Sequence, residues 1–208
     1  NIKGLIYLKN NILHEAKDYF EQAIVINYKH VDSYNNLGVC LLELEKLNEA
    51  YKIFKDAYEI DPNNTKTLLN LGNVLSLQDN ILEAIKIYSK ALNLSPNNQE
   101  ILSNIAICYC RENKEKEAKI YYDKAIKINP YDYKLKYAYC TLQLKINNFT
   151  SSWDLFDSRL LIEKNKVKLN NFELVKNNLF DNLKVDPENK LLILREQGIG
   201  EEILCGSV

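Results

Sequence analysis

Apolar and small side chains recur along this chain with a period of 34 residues. The period is clearest in a proline, two alanine positions and an aromatic position, at Pro62, Pro96 and Pro130; Ala50, Ala84 and Ala118; Ala57, Ala91 and Ala125; and Phe54, Tyr88 and Tyr122. Self-similarity at a fixed period of this size is typical of arrays of structural repeats. The pattern therefore predicts a chain built from stacked copies of one unit.

Each unit is predicted to contain two helices. At about 100° per residue, Tyr34, Leu37, Gly38 and Leu41 lie on one side of a first helix. The small residue at Gly38 and the repeated alanines of the second helix allow the two helices to approach closely. Pro62 and the Asp and Asn residues around it end one helix and begin the next, because proline cannot continue a helix and Asn and Asp suit turns and caps.

The same spacing resembles the tetratricopeptide repeat (TPR) pattern W-x2-L-G-x2-Y, then A-x3-F, then P. Three units carry it, at Tyr34, Leu37, Gly38, Leu41, Ala50, Phe54 and Pro62; at Leu68, Leu71, Gly72, Leu75, Ala84, Tyr88 and Pro96; and at Leu102, Ile105, Ala106, Tyr109, Ala118, Tyr122 and Pro130. An earlier unit is partly present, and a degenerate later one keeps Phe156. The resemblance implies an all-α fold, an α-α superhelix of helical hairpins over residues 1–164 whose last unit is a degenerate cap.

The side of each first helix that faces away from the core is the concave face in TPR arrays. On it we place the candidate peptide-binding residues Asn36, Glu43, Asn70, Asn73, Asn104 and Arg111. Asn36, Asn70 and Asn104 stand one repeat apart. They resemble the asparagine ladder of O-linked N-acetylglucosamine transferase, whose TPR groove holds polypeptide by its backbone. An amide both donates and accepts hydrogen bonds, so it can bind a peptide backbone whatever the side chains. A solvated polar face, or contacts specific to partner side chains, explains the same residues, and both interpretations remain open.

Composition and charge narrow the classes of function. The chain has 208 residues, of which 46% are hydrophobic and 26% charged, as in folded globular proteins. Its 27 basic and 28 acidic residues give no electrostatic basis for a nucleic-acid partner. No apolar run approaches the roughly 20 residues of a membrane helix, and no signal-peptide pattern opens the sequence. We therefore expect a cytoplasmic protein without a membrane span.

The five cysteines indicate neither a disulfide framework nor a metal site. They are Cys40, Cys108, Cys110, Cys140 and Cys205. Their number is odd, no pair has C-x-x-C spacing, and no histidine cluster lies nearby. Four of them fall in predicted helices, where a reduced thiol behaves as a small buried apolar group. We expect neither metal nor cofactor in this chain.

The pattern changes after residue 164. Residues 165–189 lack the repeat and are predicted to be a connector. Residues 190–208 begin with an apolar run that favours a buried strand, and Gly198 and Gly200 then mark a tight turn before a helix start. A strand-loop-helix start cannot bury itself, so it is predicted to open a truncated α/β domain. The absence of Met and the start at Asn1 inside an apolar pattern also indicate a fragment.

The order of these features carries a second resemblance. TPR units are followed by a W-x2-F-x2-R helix at Trp153, Phe156 and Arg159, and then by "REQGIGEEIL". This order resembles bacterial TPR proteins with a C-terminal heptosyltransferase-like (GT-B) glycosyltransferase domain. Their sequence at this point typically reads E-Q-G-L-G-D-x-I, and the residues that match are Glu196, Gln197, Gly198, Gly200 and Ile203.

The resemblance implies roles for the residues of this last segment. Gly198 and Gly200 would belong to a substrate loop, where the absence of side chains lets the backbone approach the substrate. Glu201 would be a weak candidate for the general base. A position in the first helical turn, where acids are favoured, explains Glu201 equally well. The complete protein would use a nucleotide-sugar donor, whereas the present chain is expected to be a non-catalytic scaffold.

Two functions follow for the chain as a whole. The first is a TPR scaffold that binds a protein or peptide in its concave groove, as the N-terminal part of a glycosyltransferase-like protein. The second is a pure protein-interaction adaptor with no associated catalysis. The identity of the partner, the sugar donor and the oligomeric state are left open by the sequence.

Overall fold

A computed structural model of the protein describes residues 1–146, and these residues form nine α-helices without a strand. The helices are α1 (Ile2–Lys9), α2 (Leu13–Ile26), α3 (Val31–Glu43), α4 (Leu47–Ile60), α5 (Thr65–Leu77), α6 (Ile81–Leu94), α7 (Gln99–Arg111), α8 (Glu115–Ile128) and α9 (Tyr133–Lys145). The first eight pair into four helical hairpins, and α9 is the first helix of a fifth repeat. The predicted all-α array is thus confirmed. The predicted cap beyond residue 146, the connector at 165–189 and the strand-loop-helix start at 190–208 lie outside the described residues.

The first helices of successive hairpins begin at the same kind of cap. The side-chain oxygens of Asn64, Asn98 and Asp132 accept a hydrogen bond from the backbone N–H three residues later, at 3.0, 3.1 and 3.0 Å. Such a cap satisfies a donor that the first turn of a helix leaves unpaired. Because the three caps are spaced by one period, local side-chain chemistry sets the start of α5, α7 and α9 in the same register.

The turns inside the four hairpins share one left-handed residue. Asn11, Glu45, Asp79 and Asn113 have φ values of 60°, 59°, 66° and 55°. Asn and Asp tolerate this conformation because their short polar side chains bond locally, whereas a longer side chain does so at a cost. Glu45 is therefore the least suitable of the four.

We expect Glu45→Asn to raise the free energy of unfolding by about 0.5–1 kcal/mol, because it relieves left-handed strain without adding the backbone entropy of glycine. Urea denaturation followed by circular dichroism measures the change. Glu59→Asn is the matched control, since Glu59 is exposed within α4, where the lower helix propensity of Asn costs a few tenths of a kcal/mol. Equal or lower stability of the Glu45 variant would contradict the strain argument.

The core of each of the first three hairpins packs an aromatic ring against a glycine. Phe54 is fully buried, and a Cβ placed on Gly38 would overlap its ring. Tyr88 stands in the same relation to Gly72 one repeat later. The predicted close approach of the two helices is thus present, and ring and glycine form one packing unit.

The last described hairpin joins α9 through a polar cluster. Tyr139 occupies the position that holds leucine or isoleucine in the three preceding repeats. Its hydroxyl donates to Oδ1 of Asp123 at 2.7 Å. Nζ of Lys119 lies 2.8 Å from Oδ2 of the same carboxylate and 3.0 Å from the Tyr139 hydroxyl. Burial raises the pKa of Tyr139, and the Asp123 contact raises that of Lys119, so both keep their protons. The cluster therefore joins α8 to α9 by charge-assisted bonds.

Candidate functional site

The first helices of the second, third and fourth hairpins share a surface on the side away from their second helices, which we call the first-helix face. It comprises Asn36 and Glu43 on α3, Asn70, Asn73 and Leu77 on α5, and Asn104, Ile107 and Arg111 on α7. All the candidate peptide-binding residues of the described chain belong to it. Leu77 and Ile107 are 64% and 41% exposed, although both are large apolar side chains. Amide groups, two apolar side chains and charged residues are thus combined on one surface.

Asn36, Asn70 and Asn104 form a row of asparagines one period apart on this face. The side chains of the first two bond to residues of the preceding repeat. Nδ2 of Asn36 donates to Oδ1 of Asn1 at 3.0 Å, and Nδ2 of Asn70 donates to Oδ1 of Asn35 at 3.3 Å. The two bonds are the same interaction repeated one period later. The two amides consequently link neighbouring repeats.

The third asparagine uses a different acceptor. Leu69 occupies the position that Asn1 and Asn35 hold in earlier repeats, and Nδ2 of Asn104 donates instead to Oδ1 of Asn73 at 2.9 Å. The same oxygen accepts a 2.6 Å hydrogen bond from the hydroxyl of Tyr88. Burial raises the pKa of Tyr88, so this hydroxyl remains a donor at neutral pH.

Access to the row is uneven. Asn36 is only 8% exposed, and its Oδ1 also lies 3.3 Å from Nζ of Lys66. Asn70 and Asn104 are half-buried. An amide carries two N–H donors and an oxygen with two lone pairs, and Asn70 uses one donor in its bond to Asn35. Because Asn70 is also less buried than Asn36, its remaining hydrogen-bonding groups are more accessible to a ligand.

Arg111 is fixed at one end of the face. Its Nη1 lies 2.6 Å from the carbonyl oxygen and 2.9 Å from the hydroxyl of Ser76, and its Nη2 lies 2.9 Å from Oδ1 of Asp79. Lys145 repeats part of this contact one period later, with Nζ 2.8 Å from Oδ1 of Asn113. A basic residue at this position therefore hydrogen-bonds to the left-handed turn residue of the preceding repeat.

Burial makes three of the cysteine thiols less reactive. Cys40 and Cys108 are buried and Cys110 is partly so, and burial raises the pKa of all three. A raised pKa lowers the fraction of reactive thiolate. Among residues 1–146 no three His, Cys, Asp or Glu side chains converge as metal ligands, and no helix there is long and apolar enough to cross a bilayer.

Comparison with known protein families identifies the same repeats. Tetratricopeptide repeat profiles match residues 1–30, 31–64 and 64–130, which together exceed half of the chain. The chain is a tetratricopeptide repeat protein. The matched segments span the four TPR hairpins α1–α2, α3–α4, α5–α6 and α7–α8. No protein of curated function matches the sequence at a significant level.

Solved structures share the TPR fold at low sequence identity. PilF of Pseudomonas aeruginosa is 19% identical with a TM-score of 0.70, and the match covers 86% of this chain and 89% of that one. MamA from Desulfovibrio magneticus RS-1 is 14% identical with a TM-score of 0.69, covering 77% and 91%. YrrB is 19% identical with a TM-score of 0.61, covering 77% and 83%. These likenesses establish the TPR architecture.

The residues predicted from the second resemblance are not part of the described site. Gly198, Gly200 and Glu201 lie beyond residue 146, outside the described residues. Their assignment to a substrate loop and a general base stays a prediction.

Proposed function

We propose that the TPR array is a scaffold that binds an extended polypeptide segment on its first-helix face. The observation that carries this proposal is the exposure of Leu77 and Ile107 among the amides of that face. Removing such side chains from water favours association, at about 25 cal/mol per Å² of apolar area. YrrB, which shares the fold, is described as a TPR protein with an unusual peptide-binding site. Its likeness supports the capacity of this architecture for peptide binding.

The amides would contribute bonds to the backbone of the bound segment. A peptide offers N–H and C=O groups at every residue, and Asn70 has a donor and an oxygen beyond its bond to Asn35. The bonds between repeats hold Asn70 and Asn104 in fixed orientations, which reduces the entropy lost on binding. Backbone-directed bonds of this kind suit a partner whose side chains vary.

We expect the triple variant Asn36→Ala, Asn70→Ala, Asn104→Ala to bind peptide more weakly by about 2–4 kcal/mol, at about 0.5–1.5 kcal/mol per hydrogen-bonded group. Isothermal titration calorimetry with peptides selected from a random display library measures this. Because Asn36 is nearly buried, Asn70→Ala alone should weaken binding more than Asn36→Ala.

Asn93→Ala is the matched control for these variants, because Asn93 is exposed on the second helix α6 and lies outside the first-helix face. Circular dichroism establishes that each variant is folded. Wild-type affinity in a folded triple variant would rule out the amide contribution.

We also propose that the array delivers polypeptide acceptors to a glycosyltransferase. This part rests on the resemblance of the segment that contains Gly198 and Gly200. The protein encoded by the complete gene, incubated with a panel of labelled nucleotide sugars and a library-selected peptide, is expected to transfer sugar to that peptide. Binding without transfer would favour the pure adaptor.

A further inference from the structure

We infer that Arg111 binds an acidic side chain in the middle of the partner polypeptide, with an apolar neighbour of that acid resting on Leu77 and Ile107. The inference rests on the proposed polypeptide binding and specifies the chemistry of the partner. It assigns to one end of the first-helix face a carboxylate subsite that the amides cannot provide.

The hydrogen bonds of Arg111 do not use all the donors of its guanidinium. The group has five N–H donors in a plane. Nη1 contacts two oxygens of Ser76, and Nη2 contacts one oxygen of Asp79. The five donors exceed these three contacts, and no hydrogen bond joins Nε to another of the residues 1–146. In a guanidinium the N–H of Nε runs parallel to an N–H of Nη2, and such a pair matches the two oxygens of a carboxylate.

The existing contacts orient the guanidinium without cancelling its charge. Bonds to Ser76 hold the guanidinium against the end of α5, so a ligand does not bear the full cost of ordering a long side chain. The partner acid Asp79 is 85% exposed, and ion pairs of that kind are weak in water. The Arg111 side chain itself is 40% exposed, so a ligand can reach it.

Exposed apolar side chains lie on the same two helices as Arg111 and its partner Ser76. Ile107 lies one helical turn before Arg111 on α7, and Leu77 directly follows Ser76 on α5. Their exposure next to a fixed cation fits an acid with an apolar residue beside it. The first helices α3 and α9 continue the array on both sides of α5 and α7, which favours a segment that passes across the face over one that ends there.

The test uses the small number of arginines. The sequence contains three, Arg111, Arg159 and Arg195, so the Nε–H region of a ¹H–¹⁵N spectrum is simple. Arg111→Lys identifies the Arg111 signal by its loss. Acetyl-Leu-Asp-Leu-amide is expected to shift that signal and to bind about tenfold or more tightly than acetyl-Leu-Asn-Leu-amide, because bonds to charged groups are the stronger ones. Equal binding of the two peptides would overturn the inference.

Two substitutions separate a carboxylate subsite from a purely structural clamp. Arg111→Gln and Asp79→Asn both break the ion pair between repeats. A purely structural role predicts that both variants lose affinity for the acidic peptide. The subsite predicts opposite results, with Arg111→Gln losing about tenfold or more and Asp79→Asn binding at least as tightly as wild type, because a competing negative charge is gone. Loss in both variants would contradict the subsite.

A third ligand and a library experiment complete the test. If N-acetyl-leucine, which carries only a terminal carboxylate, shifts the Arg111 signal and the internal acid does not, the assignment to an internal acid is wrong. Selection from random 12-residue peptides displayed on phage distinguishes a failure of this inference from a failure of the proposed function. Binders that Leu77→Asp abolishes but that show no enrichment of Asp or Glu would refute this inference and leave the proposed function standing. A folded array that selects no binder at all would refute the proposed function itself.

Discussion

Phe54→Ala is expected to lower the free energy of unfolding by about 3–5 kcal/mol, which is the range for removing a buried phenylalanine. Phe54 is fully buried on α4, and its ring fills the space that Gly38 leaves open on α3. Both helices contact it, so neither can move into the cavity without breaking its contacts with the adjacent repeats. Urea denaturation monitored by circular dichroism gives the size of the effect.

The control for this variant is Lys52→Ala on the same helix. Lys52 is exposed, and its replacement should change stability by less than about 0.5 kcal/mol. Because each repeat contacts only its neighbours, hydrogen exchange should accelerate most in α1 to α6 and least in α8 and α9. A loss below about 1 kcal/mol, or uniform acceleration across all nine helices, would contradict this account of the core.

Gly38→Ala is expected to destabilise the protein by about 1–3 kcal/mol, the usual cost of an overpacked core. In an open helix the same change would stabilise by about 1 kcal/mol, because alanine is the better helix former. The sign is reversed here because the added Cβ would overlap the ring of Phe54. Thermal and urea unfolding of the purified variant measure the difference.

A second substitution tests whether the ring is the cause. In the double variant Gly38→Ala, Phe54→Leu, the cost should be less than the sum of the two single costs, because the smaller side chain makes room for the methyl group. Ala106→Gly provides the reverse case, since Ala106 holds the same position in the fourth repeat. It should cost about 1 kcal/mol by helix propensity, and the loss of a fully buried methyl group adds to this cost. A Gly38→Ala variant as stable as wild type would show that the hairpin can open at no cost.

The repeat architecture was predictable because its signals are local. Caps such as Asn64 and the turn around Pro62 act over three or four residues, and the ring-glycine pairs lie within one hairpin. A pattern that is complete within 34 residues and then repeats can be recognised without knowing the distant contacts. Helix number, pairing and the buried alanine positions over the described residues could therefore be obtained from the chain alone.

The candidate site was predictable only in part. Helical periodicity placed Asn70, Asn104 and Arg111 on the outward side of their helices, yet it treated each side chain as free to meet a ligand. The structure shows that Asn70 bonds to Asn35 and that Arg111 holds Asp79. The recurrence of Asn1 and Asn35 one period apart was a signal for the lateral bonds. Its meaning depends on how one first helix lies against the next.

The sequence by itself determined the repeat unit, the helices within it and the surface on which polar residues recur. Only the tertiary structure decided which of those residues form hydrogen bonds between repeats, as Arg111 does with Ser76 and Asp79. The physical reason is the separation in sequence between the residues that interact. Helix formation, capping and hairpin packing depend on residues a few positions apart, whereas hydrogen bonds between first helices join residues more than 30 positions apart, whose separation is set by the packing of every helix between them.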